Sequence, residues 1–209
     1  MIARGIIDMA GDIAFYRPDS VICGKTYGSW TVRWWQWALS MPKDLNPLCD
    51  RSGIRASMNQ PADAWFLAGR FGSEDRWLPK RECMVPHSRP ILFPILNCEA
   101  NSLEYPELKT KQDLINHVRH DVETIVQKDC FINNERLPAL RIQSEPEIFN
   151  VTISANLFDI PQAGKTAAAA DGYWVFLEPL ERGEYHLRFE GACEQGRLKS
   201  GADYRVTVI

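Results

Sequence analysis

Residues 149–157 read Phe-Asn-Val-Thr-Ile-Ser-Ala-Asn-Leu, and their two-residue period decides the fold. Phe149, Val151, Ile153, Ala155 and Leu157 share one face, and Asn150, Thr152, Ser154 and Asn156 share the other. The alternation returns in Tyr185, Leu187 and Phe189 against His186, Arg188 and Glu190. It returns again in Tyr204, Val206 and Val208 against Arg205 and Thr207. One apolar and one polar face per strand is how an antiparallel sheet covers a core on one side. The chain from about Ile148 onward therefore reads as four short strands. The small, polar stretch 163–171 reads as a loop between the first two of them, and Asp171-Gly172 as a turn.

Upstream the period changes. Trp30, Trp34, Trp37, Ala38 and Met41 form a helical stripe that Ser29 can cap and Pro42 stops. The inner face of the C-terminal sheet is the apolar surface this helix would cover. Residues 42–62 are turn-rich and longer than an ordinary connection, long enough to carry function. Ala64 to Ala68 reads as a buried strand, and a charged loop follows. Ile91 to Asn97 reads as another strand, at an edge or bulged at Pro94. Thr110 and Asp113 make an approximate capping box for a second helix, with Leu114, Val118, Val122, Ile125 and Val126 as its stripe. Residues 1–28 form an N-terminal arm with one or two short strands, Ile6 and Phe15 among their apolar positions. Strands without regular β–helix alternation predict a mainly β, α+β fold. The expected architecture is an antiparallel β-sandwich, jelly-roll or Greek-key-like. It forms one domain over 1–209, with the Trp-rich helix and a second helix packed on it.

Composition narrows the function classes. The 209 residues are 45% hydrophobic and 24% charged, with a net charge of −3 mixed along the chain. No basic block suggests nucleic acid, and no apolar run can span a bilayer. Asp8 and Asp12 interrupt any secretory h-region, which points to the cytoplasm, or to secretion if a signal has been removed. The six cysteines show no CxxC pair and read as mostly reduced small hydrophobes, with one or two disulfides left open.

Four stretches together resemble an uncharacterised bacterial family. They are Arg33 to Ser40 (RWWQWALS), Ala64 to Gly69 (AWFLAG), Cys83 to Asn97 (CMVPHSRPILFPILN) and Asp171 to Leu180 (DGYWVFLEPL), with Gly183 to Gly191 (GEYHLRFEG) extending the last. The resemblance runs from about residue 24 onward and implies no assigned activity. The family pattern has a cysteine near Ala56 that would partner Cys83, and alanine stands here. The resemblance thus implies that this disulfide is lost, which counts against an oxidising location, with Cys49 left as a substitute partner.

Three sets of residues are candidates for chemistry. On the first helix Trp35 lies off the stripe, where it could stack on a sugar or aromatic ligand while Arg33 and Gln36 supply hydrogen bonds. The core is the competing fate of the other three tryptophans. After the Ile91–Leu96 strand come Asn97, Glu99 and Glu104, fit for acid/base and orienting work or simply for ending a strand. Cys98 beside them would need a histidine to act as a nucleophile. His117 and His120 lie three apart on the second helix and could share a divalent metal. With no HExxH motif and no further ligands, a solvated polar face is the stronger reading, so no metal site is expected. Asn150-Val151-Thr152 matches a glycosylation sequon but falls inside a strand. No phosphate-binding loop, cofactor motif or catalytic set is present. The sequence therefore favours a non-enzymatic module binding a small molecule, carbohydrate or protein partner, with neither nucleic acid nor membrane. The alternatives are a hydrolase using Glu99/Glu104 or His117/His120, and an assembly protein pairing exposed strand edges. A homo-oligomer is left open.

Overall fold

The period-two segments do become strands, but they are divided between two sheets. The computed structural model describes residues 7–10, 13–71, 78–157, 160, 162–196 and 198–209. Ile6 and the charged stretch at 72–77 lie outside them. In chain order the strands are β1 (Ile7–Ala10), β2 (Ile13–Tyr16), β3 (Val21–Ile22), β4 (Lys25–Thr26), β5 (Trp65–Phe66), β6 (Arg70–Phe71), β7 (Lys80–Val85), β8 (Ile91–Asn101), β9 (Ile125–Ile132), β10 (Glu135–Arg136), β11 (Leu140–Arg141), β12 (Phe149–Ile153), β13 (Gly164–Leu177), β14 (Gly183–Cys193) and β15 (Lys199–Val208). The α-helices among the described residues are α1 (Tyr27–Ser40) and α2 (Lys111–Glu123).

The first sheet runs β1-β2-β13-β8-β5, with β11 and β12 also paired to β13. The second runs β10-β9-β14-β15-β6, and β7 pairs with the rest of β15. β3 and β4 pair only with each other. Pairing is antiparallel except for β5–β8 and β7–β15. The fold is thus an α+β sandwich. Between its sheets, Phe93 and Val175 meet Leu187, Phe189, Tyr204 and Val206.

β13 departs most from the sequence reading. Residues 163–171 are not a loop, because one strand runs unbroken from Gly164 to Leu177. Val175 and Leu177 face the second sheet, while Trp174 and Phe176 face α1. A strand buried on both sides loses its alternation. Its alanines are small for a packing reason: Ala168 and Ala170 lie in the α1-side core and Ala169 in the core under α2. Asp171-Gly172 is mid-strand, paired with Cys98 and Asn97, and is no turn. A Cβ on Gly172 would sit 2.5 Å from Asn97 Cα and Cβ, so only glycine fits.

α1 begins two residues before the expected cap, with Thr26 Oγ1 accepting from the Ser29 N–H at 3.2 Å. Trp30, Trp34 and Trp37 are buried, and their indole N–H groups donate to the carbonyls of Ile22, Leu67 and Met58. The helix lies on the far face of the first sheet, against Phe66, Leu92, Trp174 and Phe176, not between the sheets. The capping box of α2 forms as expected, and Leu114, Val118 and Val122 pack on Leu96, Cys98 and Ala169. The helix stops earlier than its stripe suggested. Thr124 caps it, its hydroxyl donating to the Asp121 carbonyl at 2.7 Å. Ile125 and Val126 therefore open β9, where Ile125 is buried and Val126 is exposed. The strand at Pro94 is bulged as expected: Trp174 pairs with Pro94 and Tyr173 with Leu96, leaving Ile95 as the extra residue.

Candidate functional site

β8 carries the candidate site. Up to the bulge its residues are apolar; beyond it the strand reads Asn97-Cys98-Glu99-Ala100-Asn101. Leu96, Cys98 and Ala100 face α2. Strand alternation puts Asn97, Glu99 and Asn101 on the opposite face, a polar ladder beside the α1-side core. Across the pairing, Gly172, Ala170 and Ala168 stand opposite these three. Large polar groups thus face the smallest residues of β13.

The ladder is unevenly satisfied. Asn101 is fully buried, and its Oδ1 accepts from the N–H groups of Leu103 and Glu104, both at 3.0 Å. That turn folds Glu104 back toward the strand. Asn101 Nδ2 then lies 3.3 Å from Glu99 Oε1 and 3.4 Å from Glu104 Oε2, so one amide bridges two carboxyls. Burial pushes the Glu99 carboxyl up to about 8, helped by the Glu104 charge and opposed by the Asn101 contact. Burial also raises Glu104, against a hydrogen bond from the Tyr105 hydroxyl. Tyr105 is pushed up to about 12 by burial and the surrounding carboxylates. Its ring lies 4.5 Å from that of His117, whose Nε2 is 3.4 Å from Asp121 Oδ2.

Asn97 differs. It is 1% exposed, and among the described residues neither Nδ2 nor Oδ1 has a hydrogen-bond partner. Trp174, on the same face of the sheet, is likewise buried with its indole N–H unpartnered. An unpaired buried amide costs on the order of 1–3 kcal/mol, so such groups are rare without water or a ligand.

The structure puts Asn97 and Glu99 on one face of β8 and joins Glu104 to Glu99 through Asn101, while Trp35 lies in the α1-side core beside that face. Trp35 is not at a surface; it is 4% exposed and meets Trp34 edge-to-face at 5.1 Å. Arg33 lies over the Trp30 ring at 4.8 Å and 3.9 Å from Asp63. Gln36 donates to the Asn150 carbonyl at 2.9 Å. Trp35 is thus packed in the core, while the Arg33 and Gln36 side chains stand at the surface with partners of their own. Cys98 faces the α2 core, and burial pushes its thiol up. All six cysteines are unpaired, and Ala56 and Cys83 line one cleft. No group of three or more metal-ligating side chains occurs among the described residues. No described helix is long and apolar enough to cross a membrane.

Sequence reading missed Asn101, the bridging group, and Tyr105 at the rim. The signal was present: polar residues at 97, 99 and 101 recur with period two on a strand otherwise apolar. It read Asp171 as part of a turn, whereas Asp171 is buried and accepts from Arg141 Nη2 at 2.8 Å and Nε at 3.1 Å. No family model matches the chain, and neither a curated protein nor a solved structure is significantly similar to it.

Proposed function

We propose that the protein is a non-catalytic binding module whose β8 ladder receives a small, hydroxyl-rich ligand of the carbohydrate or polyol class. One observation carries this reading: the buried Asn97 amide, unpartnered at both ends among the described residues, two residues from a carboxyl that burial pushes up to about 8. An amide offers a donor and an acceptor, and Glu99 and Glu104 offer acceptors, a set that suits vicinal hydroxyls. Glu99 is partly exposed and Glu104 and Tyr105 are half-buried, which makes them the entrance and Asn97 the deep end.

Thermal-shift screening with a sugar and polyol panel tests it. A ligand of this site raises the melting temperature of the native protein by linkage. It leaves Asn97→Leu, which has a similar shape and no polar atoms, unmoved. Failure of the whole panel, or an equal shift in Asn97→Leu, defeats the reading.

A second reading has its own support. Two carboxyls sharing one amide, with Glu99 raised to about 8, are arranged as an acid and a base in a hydrolase. Turnover of a glycoside or ester that Glu99→Gln abolishes would select it over the binding module.

A further inference from the structure

We propose a second binding site, on the free edge of β7, that takes an extended peptide segment bearing an apolar side chain. Among the described residues β7 has a strand partner on one side only, β15. On its other side the chain already pairs with itself once: the Glu82 N–H donates to the Ser52 carbonyl at 2.8 Å. The contact is close. A Cβ on Gly53, whose φ is +92°, would lie 2.3 Å from the Glu82 carbonyl oxygen. Strand alternation turns the main-chain N–H and C=O of Met84 outward on the same edge, past the end of that cover.

A cleft of about 380 Å³ lies there, lined by Ile54, Ala56, Trp65, Cys83 and Met84, with Glu82 and Thr207 at its polar side. Ile54 is 82% and Met84 64% exposed, the two most exposed large apolar side chains among the described residues. Trp65 is 6% exposed, and its indole N–H has no acceptor among the described residues. The cleft therefore offers two main-chain groups to an incoming strand and an apolar seat. That is the chemistry of strand addition. The turn at 52–57 stands beside the edge and makes it concave. A single extended segment enters such a groove, whereas the edge of a second whole sheet meets Ile54 first.

The test uses the full chain and the peptide acetyl-Lys-Val-Leu-Val-Lys-amide, with Phe, Met and Ala versions at the central position. Nitrogen–proton correlation spectra should show saturable shifts at the Trp65 indole and the Met84 amide, with Ala binding most weakly. N-methylation of the central residue should weaken binding about tenfold, because it removes a main-chain hydrogen bond. Met84→Asp should lose the apolar seat and weaken binding at least as much. No saturable shift with any version at millimolar peptide overturns the proposal, and so does equal binding of the N-methylated peptide. A concentration-dependent dimer that Met84→Asp dissolves overturns it in favour of a second copy as the occupant. Asn97→Leu should bind the peptide like the native chain, so the fate of this site is separable from that of the β8 ladder.

Discussion

The two outward-facing sides of the sandwich handle polar residues in opposite ways. On the second sheet, Asp203 stands between Lys80 and Arg188, and Arg205 between Glu82 and His186. Each of these charges has an opposite or hydrogen-bonding group as its cross-strand neighbour, and His186, Arg188 and Arg205 are exposed to solvent. On the first sheet, α1 covers the face with tryptophans, yet the Asn97 amide and the Trp174 N–H are buried there with no partner among the described residues, and the partly exposed Glu99 carboxyl lies against the Asn101 amide. Polar residues on the first kind of face need no functional explanation, since solvent and cross-strand pairs account for them. Those on the second kind do, because burial without partners is paid for in stability. The charged groove around His186 and Asp203 has a volume of about 610 Å³, but β8 is where buried polar groups lack partners among the described residues.

The largest test of this contrast is the aromatic cover. Trp34 is fully buried against Trp35, Trp37 and Trp174 and donates to the Leu67 carbonyl. Trp34→Ala should cost about 3–5 kcal/mol in denaturant unfolding, the range for deleting a packed aromatic side chain. A cost near 1 kcal/mol would mean that α1 is a loose flap rather than the roof of the buried face.

Next comes the one buried charge of β13 that does have a partner. Asp171 is 3% exposed and depends on Arg141, which reaches it from β11 and is itself 40% exposed on its side chain. Arg141→Ala should destabilise by about 2–4 kcal/mol, because it strands a carboxylate in the core. Arg141→Ala with Asp171→Asn should recover much of that loss. Equal cost in the single and double variants would show that the pairing is not what holds Asp171.

Glu99 sharpens the comparison through pH. Its folded-state value near 8 lies above the ordinary carboxyl range, so between those two values the native state holds a proton that the unfolded state has released. Stability must then fall as pH rises through that window, and the penalty is complete once pH exceeds the folded value. The expected loss from pH 5 to 9 is on the order of 1–3 kcal/mol, taken below the full shift because the side chain is partly exposed. Glu99→Gln copies the protonated form and should flatten this slope, leaving the variant the more stable of the two above pH 8. Urea melts across the pH range decide it, and a native protein that gains stability toward pH 9 would falsify the buried-carboxyl assignment.

How much of this was legible in the sequence follows from the same contrast. Strands with one wet face, such as Phe149–Ile153 and Tyr185–Phe189, announce themselves by alternation, and the Trp stripe by its helical spacing. Elements buried on both sides do not. Ala168–Ala170 read as a loop because close packing on two faces demands small residues. β9 was hidden because Ile125 and Val126 happen to continue the spacing of α2. β7 was hidden because Arg81 is a buried arginine, held by the carbonyls of Leu48, Asp50 and Ala68 and by the Tyr204 hydroxyl. The site was half legible. Glu99 and Glu104 stood out as residue types, but Asn101 as their bridge and Asn97 as an orphan depend on a fold-back and a register that sequence spacing does not encode.

The smallest expected effect lies on the wet face, and it is the control for the rest. His186 Nε2 lies 2.7 Å from Asp203 Oδ1, a shorter contact than any in the β8 ladder. Distance alone would rank it the stronger interaction. Yet the His186 side chain is 55% exposed, so water competes for both partners and screens their charges. Its main-chain N–H donates to Asn133 Oδ1 and survives any side-chain change. His186→Ala should therefore shift stability by no more than about 0.5 kcal/mol, as for other exposed pairs. Denaturant midpoints of the native and variant chains measure it directly. A loss of about 2 kcal/mol or more would mean that the outer face is not a solvent-satisfied ladder, and the charged groove around His186 would then have to be weighed again beside β8.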